Sequence, residues 1–372
     1  MRKHLYILLL CTSVLYCGIC QTPTETFTQI NRFFDSINRI QKARTIDAVF
    51  NEMVKQKQFN GILLVALDTH KIYCNFHGYA DYKTRQKLNL GSQYELASVS
   101  KQFTAVAVLQ LYEQGKLQLT DSVCKYFPSF PYKDVTIHQL LCHRSGLPDY
   151  LEFAENYHKD KSKSFDNDSL MRMMQAHVPK ILFPANEKFE YSNTGYAVLA
   201  CLVEKISGQS FEDYLTRHIW QPAGMNHTFL YGRGQFDDQG YTIGHRAGYK
   251  TYVRDFMSWV VGDKAVFSTA DDMFLWNKYL YEGKILNDTT LELAYKPKNH
   301  DMAPDHNYGY GWRLAEDPHG NSIIYHGGLW NGNNNLFSRR LYDKACVIIL
   351  SNEFNRSFGG RGDQILNILY SL

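Results

Sequence analysis

Residues 95–117, ELASVSKQFTAVAVLQLYEQGKL, set Ser98 three positions before Lys101 at the head of an apolar, helix-patterned run. On a helix, positions i and i+3 share a face, so the hydroxyl and the amine come within hydrogen-bond reach of each other. A hydroxyl beside an amine points to an activated nucleophile. The spacing alone recurs by chance, and an exposed serine near a surface lysine is its ordinary meaning. The rest of the chain has to decide between the two.

Upstream, FNGILLVALDTHKIYCNFHGYADY (59–82) supplies two β-rich runs around Asp68 to Lys71 and reads as a hairpin. Downstream, from Phe103 to about residue 260, the texture changes to helices and loops, with Gly115 and Gly208 placed to cap helical runs. The final third returns to strands and closes on a helical segment, GRGDQILNILYSL. This order predicts an α+β fold: a mostly antiparallel sheet built from N- and C-terminal strands, flanked by helices, with a helical middle region packed beside it. The groove between the two parts is where a site is expected.

The chain has 372 residues, 44% of them hydrophobic and 21% charged, enough for a sizeable core. Its net charge of +3 gives no strong pull toward nucleic acid or an anionic membrane. MRKHLYILLLCTSVLYCGIC has the basic start, short apolar stretch and small residues of a secretory signal peptide over 1–20, with cleavage expected after Cys20. The expected location is therefore periplasmic or extracellular, with a membrane association only if the leader is retained. Residues 21–43 read as a polar spacer merging into a short helix, and 44–372 as a single domain. Five cysteines remain after the leader, Cys74, Cys124, Cys142, Cys201 and Cys346. Their wide spacing makes no disulfide framework, and they are expected to be small buried residues. No CxxC or HExxH pattern calls for a metal.

A nucleophilic serine needs a proton acceptor, an oxyanion hole and a proton donor for the leaving group. Two further stretches offer candidates. EKFEYSNTGYAVLA (187–200) puts Tyr191 and Asn193 in a polar turn before an apolar helix. YHGGLWNG (325–332) puts His326 before Gly327 and Gly328 on a β-run, where missing side chains allow a close approach to the backbone.

Taken in order, Ser-x-x-Lys, Tyr-x-Asn and His-x-Gly make a signature. On these residues the chain resembles the class C β-lactamase-like serine hydrolases, which include penicillin-binding proteins, D-Ala-D-Ala carboxypeptidases, D-amino-acid peptidases and esterases. The likeness extends from about residue 45 to 372 and includes VTIHQLLCHRSGLPDY, QPAGMNHT, VFSTADDMFLW and YGYGW. The resemblance implies that Ser98 attacks the scissile carbonyl with help from Lys101, and that Tyr191 shuttles a proton to the leaving group. Which of Lys101 and Tyr191 is the base stays open. It also implies that Asn193 orients Lys101 and binds substrate, that His326, Gly327 and Gly328 line the opposite wall, and that the backbone N–H groups of Ser98 and Leu329 form the oxyanion hole. No cofactor or metal is implied.

Several positions depart from the pattern. His326 stands where many β-lactamases carry a lysine that meets the substrate carboxylate, and a neutral imidazole attracts a carboxylate less. Arg339 and Arg340 on the next β-run would alternate to opposite faces and are expected at the surface. Asn186 replaces a usual glycine but tolerates a left-handed backbone. Asp263 and Lys264 stand where small residues are common and are expected to rim the groove or face solvent. His138 and His143 are expected to make local hydrogen bonds.

The expected protein is an exported bacterial serine hydrolase that cleaves a D-amino-acid peptide or small ester through a Ser98 acyl-enzyme. Its partners would be small molecules or short peptides, peptidoglycan fragments among them, and not nucleic acid. A true β-lactamase or slow-deacylating penicillin-binding protein is the alternative enzyme. An inactive peptidoglycan-binding or sensor protein is the alternative from another class.

Overall fold

GILLVAL (61–67) is apolar without alternation, the pattern of a strand covered on both faces. In the computed structural model it lies inside the main sheet. The structure describes residues 23–56, 59–231, 241–246, 248–303, 306–354 and 360–370, with side chains from residue 35 onward. The leader and its expected cleavage site lie outside the described residues. Among those described, no helix is long and apolar enough to cross a membrane.

The seven strands of the main sheet, numbered along the chain, are β1 (Gly61–Leu67), β2 (His70–His77), β3 (His306–Tyr308), β4 (Arg313–Glu316), β5 (Ser322–Trp330), β6 (Asn333–Arg340) and β7 (Ala345–Ser351). Their order is β3-β4-β5-β6-β7-β1-β2. All neighbours are antiparallel, and β1 pairs with β7 from Gly61↔Ser351 to Ala66↔Cys346. N- and C-terminal strands thus share one sheet, as the order of patterns predicts, and the hairpin falls at Asp68–Thr69.

Alternation divides β1 and β7 between two layers. Leu63, Val65, Val347 and Ile349 face one layer with Ile46, Phe50, Met53, Ile365 and Leu366. These come from helix α1 (Pro23–Lys55) and the closing helix (Arg361–Tyr370). Ile62, Leu64, Ile348 and Leu350 face the larger layer, which holds the helical middle. Each fully buried aliphatic side chain contributes about 1.5–3 kcal/mol.

Helix α1 differs from expectation in running unbroken through the boundary drawn at 43/44. Ile46, Phe50 and Met53 recur at helical spacing and bury against the sheet, so the helix continues for as long as that stripe has a surface to cover. The two arginines of β6 are a second correction. Alternation does aim them to opposite faces, but both faces are covered and both side chains are wholly buried. Arg339 donates to Asn277 Oδ1 (2.9 Å) and Tyr295 Oη (2.7 Å). Arg340 donates to Asp343 Oδ1 (3.0 Å) and the Leu366 carbonyl (3.0 Å). Neither reaches the groove as a free charge. Of the cysteines, Cys142, Cys201 and Cys346 are buried as expected, whereas Cys124 is half-buried and Cys74 is exposed.

In the helical layer, α2 (Lys101–Glu113) is covered almost all round, α3 is Tyr150–Tyr157, α4 is Asn167–His177 and α5 is Asn193–Ser207. Gly208 ends α5 at φ 70°, the left-handed conformation that its place in the sequence suggested.

Candidate active site

Ser98 sits in a short 3-10 turn, Ala97–Ser100, that runs directly into α2. Ala97, Val99 and Ser100 are buried while Ser98 keeps partial access to solvent. Ala97 holds φ 51°, a left-handed conformation that costs a non-glycine residue of order 1–3 kcal/mol and recurs at functional sites. The turn lifts one hydroxyl out of an otherwise closed segment.

Lys101 is wholly buried, yet its ammonium is fully satisfied. Its three donors reach Ser98 Oγ (3.2 Å), Asn193 Oδ1 (2.8 Å) and the Asp263 carbonyl (2.9 Å). Asn193 is aimed in turn by Asp149, whose Oδ2 accepts from the Asn193 backbone N–H (3.0 Å) and Nδ2 (2.8 Å). Asp149 also caps α3 by accepting from Leu151 N (3.1 Å). Burial pushes its carboxyl above the usual range, while those backbone donors and Lys101 pull it back.

Tyr191 is held by its ring. Lys101 Nζ lies 4.8 Å from the ring centroid and Arg313 Cζ 5.4 Å. The His143 ring lies 4.2 Å away, and His143 Nδ1 accepts from the Ser192 backbone N–H (3.2 Å). That donor fixes Nδ1 as unprotonated, and burial, reinforced by Lys101, His326 and Arg313, pushes the imidazole well below the usual histidine range. His143 therefore hydrogen-bonds as expected, though to a partner 49 residues away rather than a local one, and also packs the phenol in place. His138 does likewise with Tyr310, at 2.6 Å.

His326 is buried on β5 rather than presented to the groove. Its Nδ1 lies 2.6 Å from the Gly327 carbonyl and its Nε2 3.0 Å from Tyr308 Oη. Burial, with Arg313 and Lys101 close by, pushes its imidazole well below the ordinary range, so it is neutral at pH 7. A neutral ring beside a carbonyl must donate from Nδ1, which leaves Nε2 to accept from Tyr308. His326 is thus a packed, neutral wall and offers no charge to a carboxylate.

The two glycines of β5 differ. A Cβ on Gly328 would stand 2.1 Å from the Leu96 carbonyl oxygen, so this strand presses directly on the serine turn. A Cβ on Gly327 would meet nothing closer than the Asn335 carbonyl at 3.7 Å. Close approach is needed at Gly328 alone, and the approaching group is the protein's own backbone. Gly328→Ala is expected to cost about 1–3 kcal/mol of stability and to depress turnover, while Gly327→Ala leaves both near wild type. Thermal melts and rates on the two variants check this.

That contact brings Leu329 beside the Ser98 turn. Tyr325 is the last residue of β5 to pair with β4, so among the described residues the segment from His326 to Trp330 has strand β6 on one side and no strand on the other. An open edge offers backbone donors and acceptors to an extended substrate.

Other charges fall differently from expectation. Asp263 and Lys264 neither rim the groove nor face solvent; they are 1% and 3% exposed, directly behind Lys101. Asn186 does hold the left-handed turn, at φ 73°, with its Oδ1 accepting from Arg144 Nε (3.0 Å). Arg313, half-exposed on β4, escaped sequence reasoning altogether. Only the register Arg313↔Tyr325 and Arg313↔Tyr308 sets it over Tyr191, and no short motif carries that information.

A half-open serine hydrogen-bonded to a buried lysine, between an antiparallel sheet and a helical layer, is the arrangement of a serine hydrolase with the β-lactamase/transpeptidase fold. The chain belongs to the Beta-lactamase family, whose model matches residues 46–370. It is 33% identical over 327 residues to penicillin-binding protein 4* of Bacillus subtilis, covering 84% of this chain and 72% of that protein. PbpX of the same organism is 28% identical, with 89% and 80% covered. Among solved structures, a penicillin-binding protein homologue from Pyrococcus abyssi superposes with a TM-score of 0.76 at 23% identity, covering 88% of this chain and 77% of that one. D-amino acid amidase from Ochrobactrum anthropi gives 0.75 at 21%, covering 89% and 98%.

Proposed function

We propose that the protein is an exported hydrolase acting on short D-amino-acid peptides through an acyl-enzyme on Ser98. The observation that carries the chemistry is the Lys101 ammonium 3.2 Å from Ser98 Oγ, clamped on its other two sides by Asn193 and Asp263. Ser98 Oγ forms a bond to the substrate carbonyl carbon, and its proton passes to the unprotonated member of the Lys101–Tyr191 pair, either the Lys101 amine or the Tyr191 phenolate. The oxyanion that develops is met by the backbone N–H groups of Ser98 and Leu329. As the scissile bond breaks, the pair returns the proton to the leaving nitrogen or oxygen. Water then repeats the attack on the acyl-enzyme, giving up its proton to the same pair and releasing Ser98.

Substrate choice follows from charge. His326 is neutral and buried, and Arg339 and Arg340 are paired inside the fold. Arg313 is a half-exposed guanidinium over the Tyr191 ring, able to take a carboxylate bidentately. A C-terminal carboxylate on the leaving D-amino acid fits that position, and the likeness to a penicillin-binding protein and a D-amino acid amidase supports such a substrate.

The test compares hydrolysis of an N-acyl-D-alanyl-D-alanine with that of its C-terminal amide, in wild type and Arg313→Gln. Wild type is expected to prefer the free carboxylate by about tenfold or more in kcat/KM, and Arg313→Gln to lose that preference while keeping activity on the amide. Equal turnover of both substrates by wild type would overturn the carboxylate assignment. A β-lactam carries its carboxylate in a comparable place, so slow acylation by a penicillin is a second reading, favoured by the same arginine.

A further inference from the structure

Asp263 and Lys264 form a buried ion pair at the back of the site that the mechanism above does not use. Their segment is forced close to its neighbours. Gly262 adopts φ 100° where a Cβ would lie 2.5 Å from the Tyr196 carbonyl oxygen, and Ala265 holds φ 77° without being glycine. Thr104 of α2 donates to the Gly262 carbonyl (2.6 Å), and Asn167 of α4 brackets Val261, accepting from its N–H (2.8 Å) and donating to its carbonyl (3.0 Å). The segment therefore delivers the Asp263 carbonyl to Lys101 Nζ as a fixed acceptor.

Its side chains carry the charge. Asp263 Oδ2 accepts from Tyr150 Oη (2.9 Å) and lies 3.4 Å from Lys264 Nζ. Lys264 Nζ also meets Tyr150 Oη and the Val260 carbonyl (3.3 Å), and lies 5.0 Å from the Trp330 ring centroid at the end of β5. Tyr150 follows Asp149, the residue that aims Asn193. One cluster thus reaches two of the three acceptors of Lys101, Asn193 through Asp149 and the Asp263 carbonyl directly.

We propose that Asp263 and Lys264 are positioning residues for Lys101, a built-in pair of opposite charges that holds its carbonyl acceptor and balances the field in which it exchanges a proton with Ser98. The proposal rests on the reading of Ser98 and Lys101 as the reacting pair. The charged and titratable groups facing the cluster are Lys101 on α2, Asp149 and the neutral phenol of Tyr150 at the start of α3, Asp255, and Glu95 before the serine turn, itself paired with Arg254 at 3.1 Å. Lys101 and Lys264 repel each other, while Asp263 and Glu95 attract Lys264.

The two members act in opposite directions, which makes the proposal testable. Removing the cation in Lys264→Met takes away a positive charge that repels Lys101 and so favours the protonated form of the reacting pair. The acidic limb of kcat/KM should move to higher pH by about half a unit or more. Removing the anion in Asp263→Asn, which keeps size and the Tyr150 hydrogen bond, should move that limb to lower pH. The double variant should return it near wild type. The assay is p-nitrophenyl acetate hydrolysis against pH, with thermal melts and Ser98→Ala alongside.

A merely structural pair would lower melting temperature and rate without moving the limb in either direction. An unmoved limb in variants whose activity still depends on Ser98 would overturn this proposal and leave the site reading intact. Activity that survives Ser98→Ala would overturn both. Should Lys264→Met fail to fold, the direction of the shift in Asp263→Asn alone decides.

Discussion

Ser98→Ala is expected to lower turnover of any substrate by roughly 10⁴-fold or more, since removal of a covalent nucleophile leaves only what binding and the oxyanion donors supply. Stability should change by less than about 0.5 kcal/mol, because the side chain is partly exposed and gives up a single hydrogen bond, that from Lys101. Intact-protein mass spectrometry with a penicillin tests the same atom. Wild type should gain a serine-dependent adduct, lasting or transient, whereas the variant should gain none. Full hydrolysis by Ser98→Ala would end the acyl-enzyme reading, whereas no hydrolysis of any ester by wild type, with cell-wall fragments bound equally by both proteins, would favour the silent sensor protein.

Lys101→Met should reduce kcat/KM by about 10²–10⁴-fold, the range for loss of a positioned proton-transfer group. Its signature differs from that of Ser98→Ala. The variant still holds a hydroxyl, so penicillin acylation should slow without vanishing. Asn193 Oδ1 and the Asp263 carbonyl each lose a donor in a closed site, costing about 1–3 kcal/mol apiece. The lost cation also removes a buried charge, which offsets part of that cost. A melting temperature only modestly below wild type, with activity nearly gone, is the expected combination. An active Lys101→Met would shift the base assignment wholly to Tyr191.

The order of strands, helices, strands and helix was legible from the sequence, because apolar alternation and cap residues are local signals. So was the Ser98–Lys101 contact, from helical spacing, while Asn193 joined it only through the family resemblance. The charged residues behind them were not. Asp263, Lys264, Arg339 and Arg340 look like surface residues because burying a charge is expensive unless it is paired. Asp263 and Lys264 pair with each other and Arg340 with nearby Asp343, but Tyr150, Asn277 and Tyr295, which complete the buried clusters, lie far away in sequence. A signal existed for the arginines. ACVIILS (345–351) is apolar on both faces, so the strand beside it lies in a sheet covered on both sides. Arg313 gave no such hint, since its role comes from sheet register alone. Helix α1 was read short because the first part of its run is polar, while the stripe that holds it to the sheet begins only at Ile46.

The pairing of β1 with β7 has a consequence for how such a chain comes into being. Strand β1 leaves the ribosome long before the neighbour that completes its ladder, since Gly61 pairs with Ser351 and Ala66 with Cys346. Until then an apolar strand has the hairpin mate β2 on one edge and nothing on the other, an invitation to mispairing. Contacts of such long sequence separation also fold slowly, because chain closure precedes any reward from pairing. The serine turn leans on β5, which belongs to that late-forming half, so the nascent chain carries its nucleophile long before it has an active site.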